Sequence, residues 1–132
     1  MKGLLKTVSI TLHGGEYMKN KMERYIKILK IELEDLEDDI QDAQDLLKKK
    51  LEDHKITDYV FMENLSTFRT ELAGIKKMGK EIDSLVGQYD TLDELVAYLS
   101  DFIRKKVKDS GLPEVVYVLI KRKLDKIYKY LS

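Results

Sequence analysis

Hydrophobic residues recur every three or four positions over most of the chain, and this spacing predicts α-helices. The first predicted helix covers about residues 16–54, where no Pro or Gly interrupts the pattern. The second covers about residues 58–89, and its apolar positions alternate steps of four and three, which is typical of a coiled-coil seam. These positions are Phe61, Leu65, Phe68, Leu72, Ile75, Gly79, Ile82, Val86 and Tyr89. Because the link between the two helices is short, they should form an antiparallel hairpin.

Two shorter helices are predicted at about residues 92–109 and 113–131. Thr91 and Glu94 have the spacing of a capping box, and Gly111 and Pro113 are typical of a helix end followed by a helix start. The residues expected to face inward are Leu92, Leu95, Val96, Leu99, Phe102, Ile103 and Val107 on the third helix and Val115, Val116, Leu119, Leu124, Ile127 and Leu131 on the fourth.

The four helices differ in length, and this difference predicts the architecture. At 1.5 Å per residue the first helix is roughly 58 Å long, whereas the last two are roughly 27 Å each and can cover only about half of the hairpin. Connectivity places them over residues 16–34 and 72–89. The predicted fold class is therefore all-α and four-helix bundle-like, with residues 35–54 and 58–72 left as a two-helix hairpin.

The first 17 residues differ in pattern from the helical domain predicted for residues 18–132. Residues 7–12 alternate between apolar and hydroxyl side chains, which predicts a short strand or arm. A second interpretation is a leader outside the native protein, with Met18 as the start. GGA GGT GAA TAC ATG can encode residues 14–18, and it contains a bacterial ribosome-binding sequence spaced before ATG.

Composition argues against most catalytic chemistry. The chain has no Cys and two His, which excludes disulfides, thiolate metal sites and Cys nucleophiles. One helical stripe of carboxylates has a spacing that could hold a divalent cation, but no Glu-x-x-His pair and no matching acidic helix accompany it. Its members are Asp35, Asp38, Asp42 and Asp45. We interpret it as a solvated face, and assign no catalytic residue, cofactor or metal; the protein is predicted not to be an enzyme.

Charge is distributed unevenly along the chain, although the formal net charge is zero. Residues 1–100 carry 15 Lys/Arg and 20 Asp/Glu, whereas residues 101–132 carry 9 and 4. The predicted topology gathers the cations of helices one and four at one end, beside Tyr128 and Tyr130. The candidate patch for an anionic partner is Lys19, Arg24, Lys27, Lys121, Arg122, Lys123 and Lys126. Nucleic acid could bind there, although lysines that match a helix dipole need no ligand.

The uncovered half of the hairpin predicts self-association, because it holds many large apolar residues. The candidate dimer interface is Leu36, Ile40, Leu47 and Phe61. Antiparallel packing of two copies would bring each basic end toward the acidic middle of the other.

We therefore predict a homodimeric, non-catalytic protein–protein interaction module that acts as a scaffold, adaptor or small regulator on an unidentified protein. The alternative is a nucleic-acid-binding regulator that uses the basic end. No apolar run approaches the roughly 20 residues of a membrane span, and the polar residues of the N-terminal stretch argue against a signal peptide. A bacterial, cytoplasmic protein is expected.

Overall fold

A computed structural model describes residues 2–132 except Val86, with side chains from Tyr17 onward. Four α-helices follow one another in this part of the chain: α1 (Lys2–Glu52), α2 (Asp58–Ile82), α3 (Leu92–Asp109) and α4 (Glu114–Leu131). A 3-10 turn, Asp83–Leu85, follows α2 directly. The described residues include no strand. The prediction of an all-α, bundle-like fold is confirmed.

The structure corrects two of the predicted boundaries. Helix α1 begins at Lys2, so the predicted strand at residues 7–12 is wrong. Two adjacent glycines weaken a helix by about 1 kcal/mol each but do not break it as Pro does. Helix α2 ends at Ile82 and not near residue 89. Gly87, with a φ of 88°, adopts the left-handed conformation that ends helices, although the apolar spacing continues past it.

Side-chain caps and left-handed residues define the turns. The Oγ1 of Thr57 accepts a hydrogen bond from the Val60 amide at 3.2 Å and starts α2. The Oγ1 of Thr91 accepts one from the Glu94 amide at 3.2 Å and starts α3. Gly111 lies after α3 with a φ of 68°. These caps fix where the chain reverses, as the sequence predicted for α3 and α4.

Helices α3 and α4 pack on one half of the α1–α2 hairpin, and the core lies there. The buried residues are Met22, Tyr25, Ile26, Leu29, Leu33 and Ile40 of α1; Ile75, Met78 and Ile82 of α2; Leu85 of the 3-10 turn; Leu92, Leu95, Leu99, Ile103 and Val107 of α3; Leu112 between α3 and α4; and Val116, Ile120, Leu124 and Ile127 of α4. Between residues 41 and 74, all of them described, no side chain is fully buried. We call this part of α1 and α2 the free half of the hairpin.

The inward face of α4 differs from the predicted one. Val115 and Leu119 are exposed, whereas Ile120, which was not predicted, is buried. The sequence from Val115 to Ile120 contains apolar residues at almost every position. A helix of 3.6 residues per turn can direct only one stripe of such a run toward α1 and α3.

Candidate functional site

The basic end forms because α4 runs antiparallel to α1. The Tyr25 hydroxyl donates to the Leu124 carbonyl at 2.9 Å, and Lys123 Nζ lies 2.9 Å from Glu32 Oε2. Toward the end of the chain, Tyr128 and Ser132 share a cleft with Met18 and Lys21. The structure thus brings together the two groups of cations that the sequence analysis assigned to one end.

Within the candidate patch, two lysines are engaged in ion pairs inside the chain. Lys121 Nζ lies 2.9 Å from Asp125 Oδ1, and Lys123 pairs with Glu32. The hydrogen bond from Lys123 holds the pKa of the Glu32 carboxyl below its usual value, against the effect of desolvation. Glu32 is distant in the sequence from Lys123, and Asp125 lies one turn from Lys121 on the same helix. The two ion pairs therefore reduce the number of cations that are available to a ligand.

The other five members of the patch lie at the surface. They are Lys19, Arg24, Lys27, Arg122 and Lys126, and all are exposed. None of the described carboxylates forms an ion pair with these five side chains. They remain accessible for an anionic partner.

Aromatic rings accompany the exposed cations. Lys21 Nζ lies 5.7 Å from the centroid of the exposed Tyr17 ring, within cation–π range. Tyr130 is exposed and shares a cleft with Ile28, Glu32 and Lys126. Tyr128, in contrast, is half-buried, and a hydrogen bond to Asp93 raises the pKa of its hydroxyl. The exposed aromatic side chains of this end are therefore Tyr17 and Tyr130.

The acidic stripe of α1 lies on the surface of the helix. Asp35, Asp38, Asp42 and Asp45 are all exposed. Among the described side chains, no cluster of three or more Asp, Glu and His residues has the geometry of a metal site. His54, in the turn between α1 and α2, is exposed as well.

Two of the four candidate interface residues are part of the packed bundle: Ile40 belongs to the core and Leu36 packs against it. Leu36, Leu47 and Phe61 are half-buried, and Ile40 exposes only 8% of its surface. Their role in a dimer stays a prediction.

Other large apolar residues are more exposed than these four, and the sequence analysis did not select them. Ile31, Val115, Val118 and Leu119 lie on the bundle half, and Leu46, Tyr59, Val60 and Met62 lie on the free half. A signal for Ile31 was present in the sequence, because it lies on the same helical stripe as Asp35 and Asp38 and not with the core positions.

Comparison with known proteins gives no relative from which a function could be inferred. No protein-family model, no curated protein and no solved structure matches the chain. None of the helices has, within the described residues, the length and apolar character to cross a membrane.

Proposed function

We propose that the protein is a non-catalytic helical interaction module that acts as a homodimer and serves as a scaffold, adaptor or small regulator in the cytoplasm. The observation that carries this proposal is the free half of the hairpin. Helices α3 and α4 have 18 residues each, whereas α1 has 51. The two shorter helices therefore cover one part of α1, and none of the side chains of residues 41–52 is buried.

The incomplete burial of apolar side chains on the free half supports self-association. Leu47, Phe61 and Phe68 are only half-buried, and Leu46 and Met62 are exposed. Full burial of such a side chain contributes about 1.5–3 kcal/mol, so completing the burial of each half-buried group adds roughly 1 kcal/mol. A second copy supplies the missing surface without a further protein, and the resulting dimer presents two helical arms to other partners.

Sedimentation equilibrium of the full chain tests the dimer. We expect a mass of about twice the 15.4 kDa of one chain. Leu46→Lys should weaken the association, because it introduces a charge at an exposed apolar position of the free half. Gln41→Lys is the matched control, since it adds the same charge to an exposed position of the same helix. A monomer at high micromolar concentration would contradict the proposal.

A second candidate function is nucleic-acid binding at the basic end. The observation in its favour is the set of five exposed cations with Tyr17 and Tyr130 at the same end of the bundle. Binding of this kind weakens steeply with salt, with a slope of log K against log salt of about −0.9 for each phosphate contact on duplex DNA. Arg122→Glu with Lys126→Glu should abolish retention on a DNA or RNA column. Absence of retention by the unmodified chain at low salt would exclude this function.

A further inference from the structure

One surface stripe of α1 changes from basic to apolar to acidic along its length. Its members step by four and three residues, so they lie on one face of the helix. They are Arg24, Ile28, Ile31, Asp35, Asp38 and Asp42, of which all but the half-buried Ile28 are exposed. Ile31 exposes 56% of its surface, which is unusual for an isoleucine on a helix that also has a complete buried face.

A stripe of α4 lies beside it and adds to the same face. Its members Val115, Leu119, Arg122 and Lys126 also step by four and three. Lys126 shares a cleft with Ile28, and the ion pair between Lys123 and Glu32 joins the two helices at this level. Because α4 is antiparallel to α1, its basic residues lie toward Arg24 and its aliphatic residues lie toward the carboxylates. Val115 and Leu119 expose 57% and 39% of their surfaces.

Cations precede Ile31 on this face, and carboxylates follow it at the same spacings. Arg24 precedes Ile31 by seven residues and Asp38 follows it by seven; Lys27 precedes it by four and Asp35 follows it by four. In a two-fold symmetric dimer both copies contribute the same patch to the interface. If the two α1 helices are antiparallel, a residue that precedes the axial residue by a given number of positions faces the partner's residue that follows it by the same number. With Ile31 at the axis and the two α1 helices antiparallel, every one of these cations faces a carboxylate.

We infer that two copies of this chain associate through the α1–α4 face, antiparallel, with Ile31 at the two-fold axis and Leu119 on the same face. This inference rests on the proposed homodimer and gives it an orientation, but it centres the interface on Ile31 of the bundle half and not on Phe61 and Phe68 of the free half. A parallel arrangement would place cation against cation and carboxylate against carboxylate, which disfavours it. The antiparallel arrangement also places each basic end over the part of the partner's α1 that the partner's own α4 does not cover.

A second copy fits this face better than an anionic polymer does. A polymer would engage Arg24, Lys27 and Lys126 but would leave the exposed Ile31 and Leu119 in water beside repelling carboxylates. A second copy engages Arg24 and Lys27, the aliphatic centre and the carboxylates together.

Two complementary charge variants test the orientation. Variant one carries Arg24→Glu and Lys27→Glu, which makes both ends of the face acidic; variant two carries Asp35→Lys and Asp38→Lys, which makes both ends basic. We expect self-association of each, measured by sedimentation at low salt, to weaken at least tenfold. An equimolar mixture should recover a dimer near the unmodified affinity, because all four charge contacts are then complementary. Lys76→Glu with Lys77→Glu makes the same charge change at exposed positions of α2 and serves as the control.

The outcomes separate this inference from the proposed function. If the unmodified chain is a dimer and both charge variants dimerise as it does, the α1–α4 face is not the interface, and the homodimer stands on another surface. If each variant is weakened but their mixture does not associate, the antiparallel orientation is wrong. If the unmodified chain is a monomer at high micromolar concentration, the proposed homodimer fails and this inference fails with it. Retained helical circular dichroism confirms that the variants, all at exposed positions, are folded.

Discussion

Replacing Tyr25 by Phe removes one hydroxyl from the centre of the bundle and leaves the ring in place. Tyr25 is fully buried, and its hydroxyl donates to the Leu124 carbonyl at 2.9 Å, which ties α1 to α4. Since no cavity larger than one oxygen is created, the loss should be that of a single hydrogen bond. We expect Tyr25→Phe to lower the free energy of unfolding by about 1 kcal/mol at neutral pH.

The same hydroxyl should make stability depend on alkaline pH. Burial, with a smaller contribution from the charge of Asp125, raises the pKa of Tyr25 well above the ordinary value of 10.0. Above about pH 10 the unfolded chain therefore releases this proton while the folded chain keeps it, so the unfolded state binds fewer protons and stability falls with rising pH. By about pH 11 the loss due to Tyr25 is roughly 1.4 kcal/mol.

Urea unfolding of both chains at about pH 8 and about pH 11, followed by far-UV circular dichroism, measures this difference. The deficit of Tyr25→Phe relative to the unmodified chain, about 1 kcal/mol at pH 8, should disappear over this interval and reverse by about 0.4 kcal/mol, because the variant has no such proton to lose. Tyr130→Phe is the control, since Tyr130 is 72% exposed. A deficit that stays constant between the two pH values would refute the argument that burial holds Tyr25 neutral.

Three further predictions concern unfolding free energies in urea. Gly79→Ala should stabilise the folded protein by about 0.5–1 kcal/mol, since no atom lies within 4 Å of the added Cβ. Gly74→Ala should stabilise it less or destabilise it, because the added Cβ would lie 2.9 Å from Leu112 Cδ1. Thr91→Ala should cost about 1 kcal/mol because the Glu94 amide loses its Oγ1 acceptor, and an unchanged stability would show that this cap does not stabilise α3. Phe68→Ala should cost about 2 kcal/mol, below the range for a fully buried Phe, and a larger loss would mean that a second copy covers it.

Helical periodicity was sufficient to predict the fold class, because the core positions of α1, α2 and α3 each form one stripe. It was insufficient where more than one stripe is apolar. Residues 115–120 offer two possible inward faces, and only the positions of α1 and α3 select the one that contains Ile120. The end of α2 was mispredicted for a related reason: the apolar spacing continues past Gly87, whereas the backbone leaves the α-helix at Asp83 and Gly87 has a left-handed φ of 88°.

The basic end was predictable from connectivity, but its charge pairing was not. Lys123 and Glu32 are separated by 91 residues, and Lys30 and Asp83 by 53, so only the packed bundle shows that they meet. The charge pattern alone therefore presents Lys121 and Lys123 as available to a ligand, although both are paired within the chain. The predicted dimer interface likewise includes Ile40, which its own chain already buries.

The charges nearest Ile31 stabilise the fold, and those further along the stripe are the ones available for association. Lys30 and Glu32 flank Ile31 and are paired with Asp83 and Lys123 inside the chain. Exposed ion pairs contribute only about 0–1 kcal/mol each, so contacts made by Arg24, Lys27, Asp35 and Asp38 with a partner would select its orientation more than they would strengthen its binding. The affinity must then come from the aliphatic centre of the face. Salt that screens charges over about 10 Å at 0.1 M should accordingly reduce the difference between the charge variants and the unmodified chain, while the effect of replacing the exposed Ile31 by a polar residue should persist.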